Sequence, residues 1–492
     1  MPAMSRPAAV QALNRRACEQ ARLTRDPRFD GLLFIAVRST GIYCRPICPA
    51  PSAKSRNVEY YANAASAAAA GYRPCLRCRP EAAPGTPLHG RSAMVAGALR
   101  LIEGGLLDTG SVADLAARVG VGARHLRRLF DLEIGAGPLE VAATRRLHFA
   151  KKLLGETALP VTQIAHASGY RSLRRFNAAF LGNYGQAPRS LRRGRAALAS
   201  HATKAAALTL RLPYRAPYDL PALLAFFARR AIPGIEQVDE HGYARHFAID
   251  GVAGSLRVRP VPGDDALALE VAFPLAAHLQ QITARVRRMF DLDADIGAIN
   301  AHLRSDARLR AGIRRHPGQR LPGGWDGFEV AIRAVLGQQI SVAAARTLAQ
   351  RLVERHGAEA ALADGTTVRL FPAPETVAVA DLAAIGLTRQ RAATLRALAR
   401  AVCDGTVTFR PEQTLQQFVA SWTAVPGIGA WTAHYMAMRA LGDPDAFPAA
   451  DLVLRKAVAV DGVPLSTRAL ELMAEAWRPW RAYAVMHLWR SA

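Results

Sequence analysis

Apolar residues in the middle of this chain recur at helical spacing, whereas those just beyond it alternate one by one. From about residue 90 to 195 the pattern predicts short amphipathic helices broken by glycine. After it, segments such as HFAIDG and GSLRVRP read as strands, and the remainder turns helical to its end. Two aperiodic stretches, PEAAPGTPLHG (Pro80–Gly90) and GRAALASHATKAA (Gly194–Ala206), read as linkers. The boundaries expected are 1–82, 90–195, 207–285 and 286–492. The fold class expected is multidomain α+β: a small cysteine-bearing α/β head, an all-α middle, a β-sheet domain, and helical domains closing the chain.

Length agrees, since 492 residues exceed what one core organises. A formal net charge of +25 points to a polyanionic partner, because each phosphate neutralised releases a condensed counterion. A general bias toward Arg and Ala would explain part of that charge. No apolar run reaches the ~18 residues of a membrane span, and the N-terminus lacks a signal-peptide core. A cytoplasmic, nucleoid-associated protein is therefore expected, with no membrane partner. Its six cysteines read as metal ligands or thiols rather than disulfides.

Four of those cysteines fall as Cys44-x3-Cys48 and Cys75-x2-Cys78, separated by 26 residues. Two short chelating turns suit one tetrahedral zinc ion. Cys18 and Cys403 lack such partners and are expected to be buried small hydrophobes. The words FIAVRSTGIYCRPICPA and NVEYYANAASAAAAGYRPCLRC resemble the N-terminal domain of the Ada adaptive-response family, over Asp26 to about Glu81. The resemblance implies that Cys44 takes a methyl group irreversibly from a methylphosphotriester in DNA, with Cys48, Cys75 and Cys78 as the other zinc ligands. Methylating one of four thiolates lowers the formal charge of the cluster from two negatives to one, which should strengthen its hold on DNA. A purely structural zinc knot is the alternative.

SVADLAARVGVGARHLRRLF (Ser111–Phe130) has helix-turn-helix spacing. Val112, Leu115, Ala116 and Val119 face a core, Gly120 makes the turn, and Arg124 and Arg127 stand on the next helix. PVTQIAHASGYRSLRRFNAAF (Pro160–Phe180) repeats the pattern, with Gly169 at the turn and Arg171, Ser172, Arg174 and Arg175 placed to reach base or phosphate atoms. Between Ala142 and Arg195 eleven Lys/Arg face one acidic residue, Glu156. The second unit's ending, with Gly169-Tyr170, Phe176, Phe180, Gly185 and Pro188, makes Ser92–Arg193 resemble AraC-type regulators. That implies promoter DNA and RNA polymerase as partners.

In VPGIGAWTA (Val425–Ala433), Gly427, Ile428 and Gly429 read as a hairpin whose amides can approach a phosphate. Asp451 follows Gly427 by 24 residues at the start of a helix; a carboxylate there is also an ordinary cap. With LPYRAPYDLPALLAFFARRA, RLPGGWDGFEVAIRAVLGQQISVAAA and WRPWRAYAVMHLW, the segment Leu208–Ala492 resembles AlkA-type DNA-3-methyladenine glycosylases II, helix-hairpin-helix enzymes that excise alkylated bases. The resemblance implies that Asp451 stabilises the sugar cation, and that Trp431, Tyr435, Trp489 and Phe226 hold the flipped base. It also implies that Gln338 and Gln339 sit at the loop that wedges the duplex, where relatives can carry an apolar side chain. A monovalent cation on hairpin carbonyls is a further implication.

Glycosylase-lyases of this motif place lysine two residues after the second hairpin glycine. Trp431 stands there, so hydrolysis without strand cleavage is expected. No Pro-Cys-His-Arg word occurs, so O6-methylguanine repair by a second reactive cysteine is not expected. The rival readings are a regulator whose glycosylase half only binds DNA, and a glycosylase whose front half only docks.

Overall fold

In the computed structural model, residues 14–85, 91–193, 207–459 and 461–491 are described. The linker Gly194–Ala206 lies outside them, as does the end of the other linker, residues 86–90. The chain forms two compact units. The first holds the stretch up to Arg215 with Leu275–Ala284, the second Ala216–Pro274 with Arg285–Ala492.

After the helix Arg15–Leu23 the first unit has three antiparallel strands, β1 (Phe34–Val37), β2 (Ile42–Cys44) and β3 (Val58–Tyr61), and a short parallel strand, β4 (Arg73–Pro74), in the order β3-β1-β2-β4. Alternation along β2 buries Tyr43 and leaves Cys44 on the other face. The helix Ala64–Ala69 closes over Phe34, Ala36 and Tyr43, its start capped by Asn63. Cys18, with 1 % of its surface exposed, packs on Ala21, Leu33, Ile35 and Val58, as a small hydrophobe should.

Two helix pairs follow: Val112–Arg118 with Ala123–Glu133, and Val161–Ala167 with Leu173–Tyr184. The turns at Gly120 (φ +78°) and Gly169 (φ +80°) take the left-handed backbone that glycine tolerates. Between the pairs runs the long helix Pro138–Glu156. Its Arg145 and Arg146 grip Asp108, whose carboxylate lies where a side chain on Gly169 would stand. The same helix meets the cysteine head. Tyr43 Oη and His148 Nε2 are 2.8 Å apart, and Lys151 Nζ donates to Glu81 at 2.8 Å.

The second unit contains four antiparallel strands, β5 (Glu236–Asp239), β6 (Gly242–Ile249), β7 (Val252–Pro260) and β8 (Ala266–Ala272), in sequence order. The helix Gly327–Leu336 is tied to this sheet by the buried pair Arg245–Glu329 (2.8 Å). The rest is helical apart from one antiparallel pair, β9 (Glu359–Ala361) with β10 (Thr367–Arg369). Cys403 departs from expectation: it is exposed. The helix Arg389–Cys403 buries Ala392, Leu395, Leu398 and Ala399, and its last residue lies beyond that stripe. No helix among the described residues is long and apolar enough to cross a membrane.

Candidate functional site

The helix Leu415–Thr423 begins with a capping box (Thr414, Gln417) and leads into the hairpin, from which the helix Ala430–Met436 starts at Gly429. The two hairpin glycines have different reasons to be glycine. Gly427 has φ +86°, and a Cβ there would lie 2.0 Å from Thr394 Oγ1. Gly429 has ordinary dihedrals, and a Cβ there would meet nothing within 4 Å. The first glycine is demanded by the fold; the second leaves open space in front of the helix start, where amides point outward.

Trp431, Tyr435 and Arg439 follow on successive turns. The Trp431 and Tyr435 rings stack with centroids 5.4 Å apart and planes 8° from parallel. Trp489, from the helix Arg481–Ser491, lies 6.4 Å from Tyr435. Both indoles converge on one carboxylate: Trp431 Nε1 donates to Asp451 Oδ2 at 2.9 Å and Trp489 Nε1 to Oδ1 at 3.2 Å. Asp451 also caps the helix Leu452–Ala457, accepting from the Leu454 amide at 3.0 Å. Capping the helix therefore leaves the Asp451 carboxylate in contact with both indoles. It stays half-buried beside a cavity of about 710 Å³ that Phe226, Trp431, Tyr435 and Trp489 also line.

Not every expected residue joins that cavity. Gln338 and Gln339 do not line it, although Ile340 does. Gln338 Nε2 instead donates to Gly427 O and to Thr432 Oγ1, each at 3.1 Å. Gln339 is exposed, with φ +58°. Phe226 is buried, with the Arg230 guanidinium 3.7 Å from its ring centroid and that of Arg439 at 4.7 Å. Its ring is thus packed against cations as well as facing the cavity.

The sequence reading missed these charges. Arg439 stands on a π-helical turn, Ala437–Leu441, a geometry frequent at functional sites. Its Nη1 donates to Tyr435 Oη at 2.9 Å and its Nη2 to Gly323 O at 3.2 Å. Burial pushes the Tyr435 hydroxyl upward, but Arg439 and Arg230 outweigh it and hold its pKa below the ordinary value. The one available signal was Arg230 inside the matching word LPYRAPYDLPALLAFFARRA.

In the first unit the sulfurs of Cys44, Cys48, Cys75 and Cys78 all lie within 4.8 Å of one another. Thiolates around tetrahedral zinc stand about 3.8 Å apart, given Zn–S bonds of about 2.3 Å, so the four fit that ion with small adjustment. Cys75 and Cys78 are buried; Cys44 and Cys48 are partly open. The Arg45 amide donates to Cys78 Sγ at 3.3 Å, and the Arg45 guanidinium is clamped by Asp30. Arg124, Arg127, Arg171, Arg174 and Arg175 are all exposed. Ser172 caps its helix, accepting from the Arg175 amide at 3.4 Å, so its hydroxyl is already engaged.

Family models match in the same order: "Metal binding domain of Ada" over residues 17–81, "Helix-turn-helix domain" over 115–194, "AlkA N-terminal domain" over 209–326 and "HhH-GPD superfamily base excision DNA repair protein" over 332–482. A Mycobacterium tuberculosis (H37Rv) protein named "Probable bifunctional transcriptional activator/DNA repair enzyme AlkA" is 40 % identical over 474 residues, covering 96 % of this chain and 95 % of that protein. The chain belongs to the bifunctional Ada/AlkA family.

As a member of that family it is a DNA glycosylase fused to a zinc-binding methyl acceptor and a helix-turn-helix regulator. Its relatives also occur as separate proteins. "DNA-3-methyladenine glycosylase 2" of Escherichia coli K12 is 34 % identical over 282 residues, 56 % of this chain and 95 % of that protein. The E. coli "Bifunctional transcriptional activator/DNA repair enzyme Ada" is 39 % identical over 148 residues, 30 % of this chain and 41 % of that protein. A solved 3-methyladenine DNA glycosylase from Archaeoglobus fulgidus shares the fold, with a TM-score of 0.50 at 24 % identity, over 57 % of this chain and 96 % of that one.

Proposed function

We propose that the second unit hydrolyses the N-glycosidic bond of alkylated bases of the 3-methyladenine and 7-methylguanine type, with Asp451 as its key carboxylate. The observation that carries this is the pair of indole N–H groups on Asp451 beside an aromatic cavity. Trp431, Tyr435 and Trp489 offer π faces to a flipped, cationic base. Three donors hold the Asp451 oxygens against the place where positive charge grows on the sugar, and from there the carboxylate orients the attacking water. Gly427, Ile428 and Gly429 dock a backbone phosphate, Gln339 fills the gap left by the base, and Gln338 ties that loop to the hairpin. Trp431 offers no amine for a Schiff base, so the product is an abasic site in an uncut strand. Carbonyls of the same turn suit a monovalent cation, whose role is to stiffen it.

The first unit removes a methyl group from a phosphotriester. A bound zinc ion would keep the four thiols ionised at neutral pH. Cys44 Sγ attacks the methyl carbon; the S–C bond forms as the C–O bond breaks, and the phosphate oxygen leaves with the electron pair. Cys48, Cys75 and Cys78 complete the ligand set. Arg124, Arg127, Arg171, Ser172, Arg174 and Arg175 belong to the faces that read promoter DNA, next to which RNA polymerase is engaged. The cytoplasmic nucleoid is where such a substrate lies.

The deciding experiment is release of 3-methyladenine from methylated duplex DNA by wild type and Asp451→Asn. Asparagine caps helices as well as aspartate does. Loss of about 10²-fold or more in a variant that melts normally is the expected result. Equal release by both would remove Asp451 from the mechanism.

A further inference from the structure

The charges around the cavity do not cancel. Arg245 and Arg333 are matched by Glu236 and Glu329, with which they form a buried network. Arg490 is matched by Asp219. Arg229 and Arg346, also on the lining, are exposed. Arg230 and Arg439 remain. They converge on the Tyr435 hydroxyl and the Phe226 ring, with no carboxylate among the described residues paired to either. Arg439 is 8 % exposed, and its Nε is buried without a hydrogen-bond partner. Two guanidiniums held this way are costly unless something uses their charge.

Their placement relative to Asp451 suits one such use. Asp451 is bonded to Trp431, whereas Arg439 lies eight residues further along, about 12 Å at 1.5 Å per residue. The stacked Trp431 and Tyr435 rings span the interval. One end of the cavity is therefore negative and the other positive. Breaking a glycosidic bond moves charge along that line: both bonding electrons pass from C1′ to the base nitrogen, leaving a cationic sugar. A cationic lesion departs as a neutral base. A neutral lesion departs as an anion, which must be stabilised until it takes up a proton.

We propose that Arg439 and Arg230 are specificity-determining residues that stabilise the negative charge appearing on a neutral base as it leaves. This rests on the glycosylase reading above and assigns to these two residues the discrimination between cationic lesions and neutral purine lesions with a hydrogen-bond-accepting edge. Such lesions need the cations most, because N-alkylated cationic bases are already good leaving groups.

The test is single-turnover release of hypoxanthine, a neutral base, and 7-methylguanine, a cationic one, from otherwise identical duplexes by the full chain. Wild type, Arg439→Met, Arg439→Lys and Arg230→Met are compared. The expected result is a fall in the hypoxanthine-to-7-methylguanine rate ratio of about 10²-fold in Arg439→Met, the usual effect of losing one preorganised donor. Arg230→Met should follow in direction, and Arg439→Lys should recover part of the ratio. Parallel loss of both activities in Arg439→Met and Arg230→Met alike would overturn the proposal, as would an unchanged ratio. Wild type that releases 7-methylguanine but no hypoxanthine would overturn it while leaving the glycosylase reading intact. Release of neither base would remove both.

Discussion

Trp431 Nε1 donates to Asp451 Oδ2 over 2.9 Å, so the residue standing where a lyase would carry its lysine here holds the carboxylate in place. Trp431→Phe keeps a ring against Tyr435 and removes one of three donors to Asp451. A hydrogen bond to a charged group contributes about 1.5–3 kcal/mol, so base release should fall roughly tenfold or more without a change in melting temperature. Wild-type rates in this variant would mean that Trp489 and the Leu454 amide suffice.

The hairpin glycines should separate stability from binding. Gly427→Ala places a methyl group against Thr394 at a positive φ, and should cost about 2 kcal/mol or more in denaturant unfolding. Gly429→Ala should melt like wild type yet bind an abasic duplex about tenfold more weakly, because its methyl group enters the open space before the helix. If Gly429→Ala binds normally, the phosphate does not dock there.

Much of this site was legible because its chemistry sits in short words. VPGIGAWTA holds both glycines and Trp431, and the spacing to Asp451 survives any packing detail. The helix-turn-helix pairs were legible for the same local reason, a glycine turn between two apolar stripes. What stayed hidden depends on distant segments meeting. Arg439 lies on a helix that reads as ordinary until the π turn aims it at Phe226 and Gly323, residues far away in sequence. Cys403 went wrong through its position at a helix end, where the apolar stripe stops.

Methyl transfer should be stoichiometric. One methyl group per chain is expected on Cys44 after exposure to methylphosphotriester DNA, read by mass spectrometry of the peptide. Cys44→Ala should accept none, while Asp451→Asn accepts the full amount. Turnover beyond one methyl group, or transfer in Cys44→Ala, would contradict the assignment.

Asp291 gives a pH signature to the second unit. It is half-buried, and accepts from Tyr483 Oη at 2.9 Å and the Leu321 amide at 3.0 Å. Burial raises its pKa from 3.8 to about 6. A folded pKa above the unfolded one favours the folded state fully below about pH 4, and that contribution fades as pH rises through 6. Asp291→Asn keeps an acceptor and carries no charge. Its stability relative to wild type should therefore improve from pH 5 to pH 8, measured by denaturant unfolding at each pH. A constant difference would show that Asp291 is not protonated in the folded chain.

Gln338 binds Gly427 O and Thr432 Oγ1, while Arg391 donates to the Gln338 carbonyl at 2.6 Å. The exposed tip at Gln339 and the hairpin are thereby fastened into one piece, like the two jaws of a fixed gauge. On the proposed docking at Gly429, a duplex would meet Gln339 at a set offset, and only a backbone that yields to that offset would seat both. Such a tool would probe how readily a base pair gives way before any base enters the cavity. The first question put to DNA would then be mechanical, and the chemical one would be asked only of the bases that come loose.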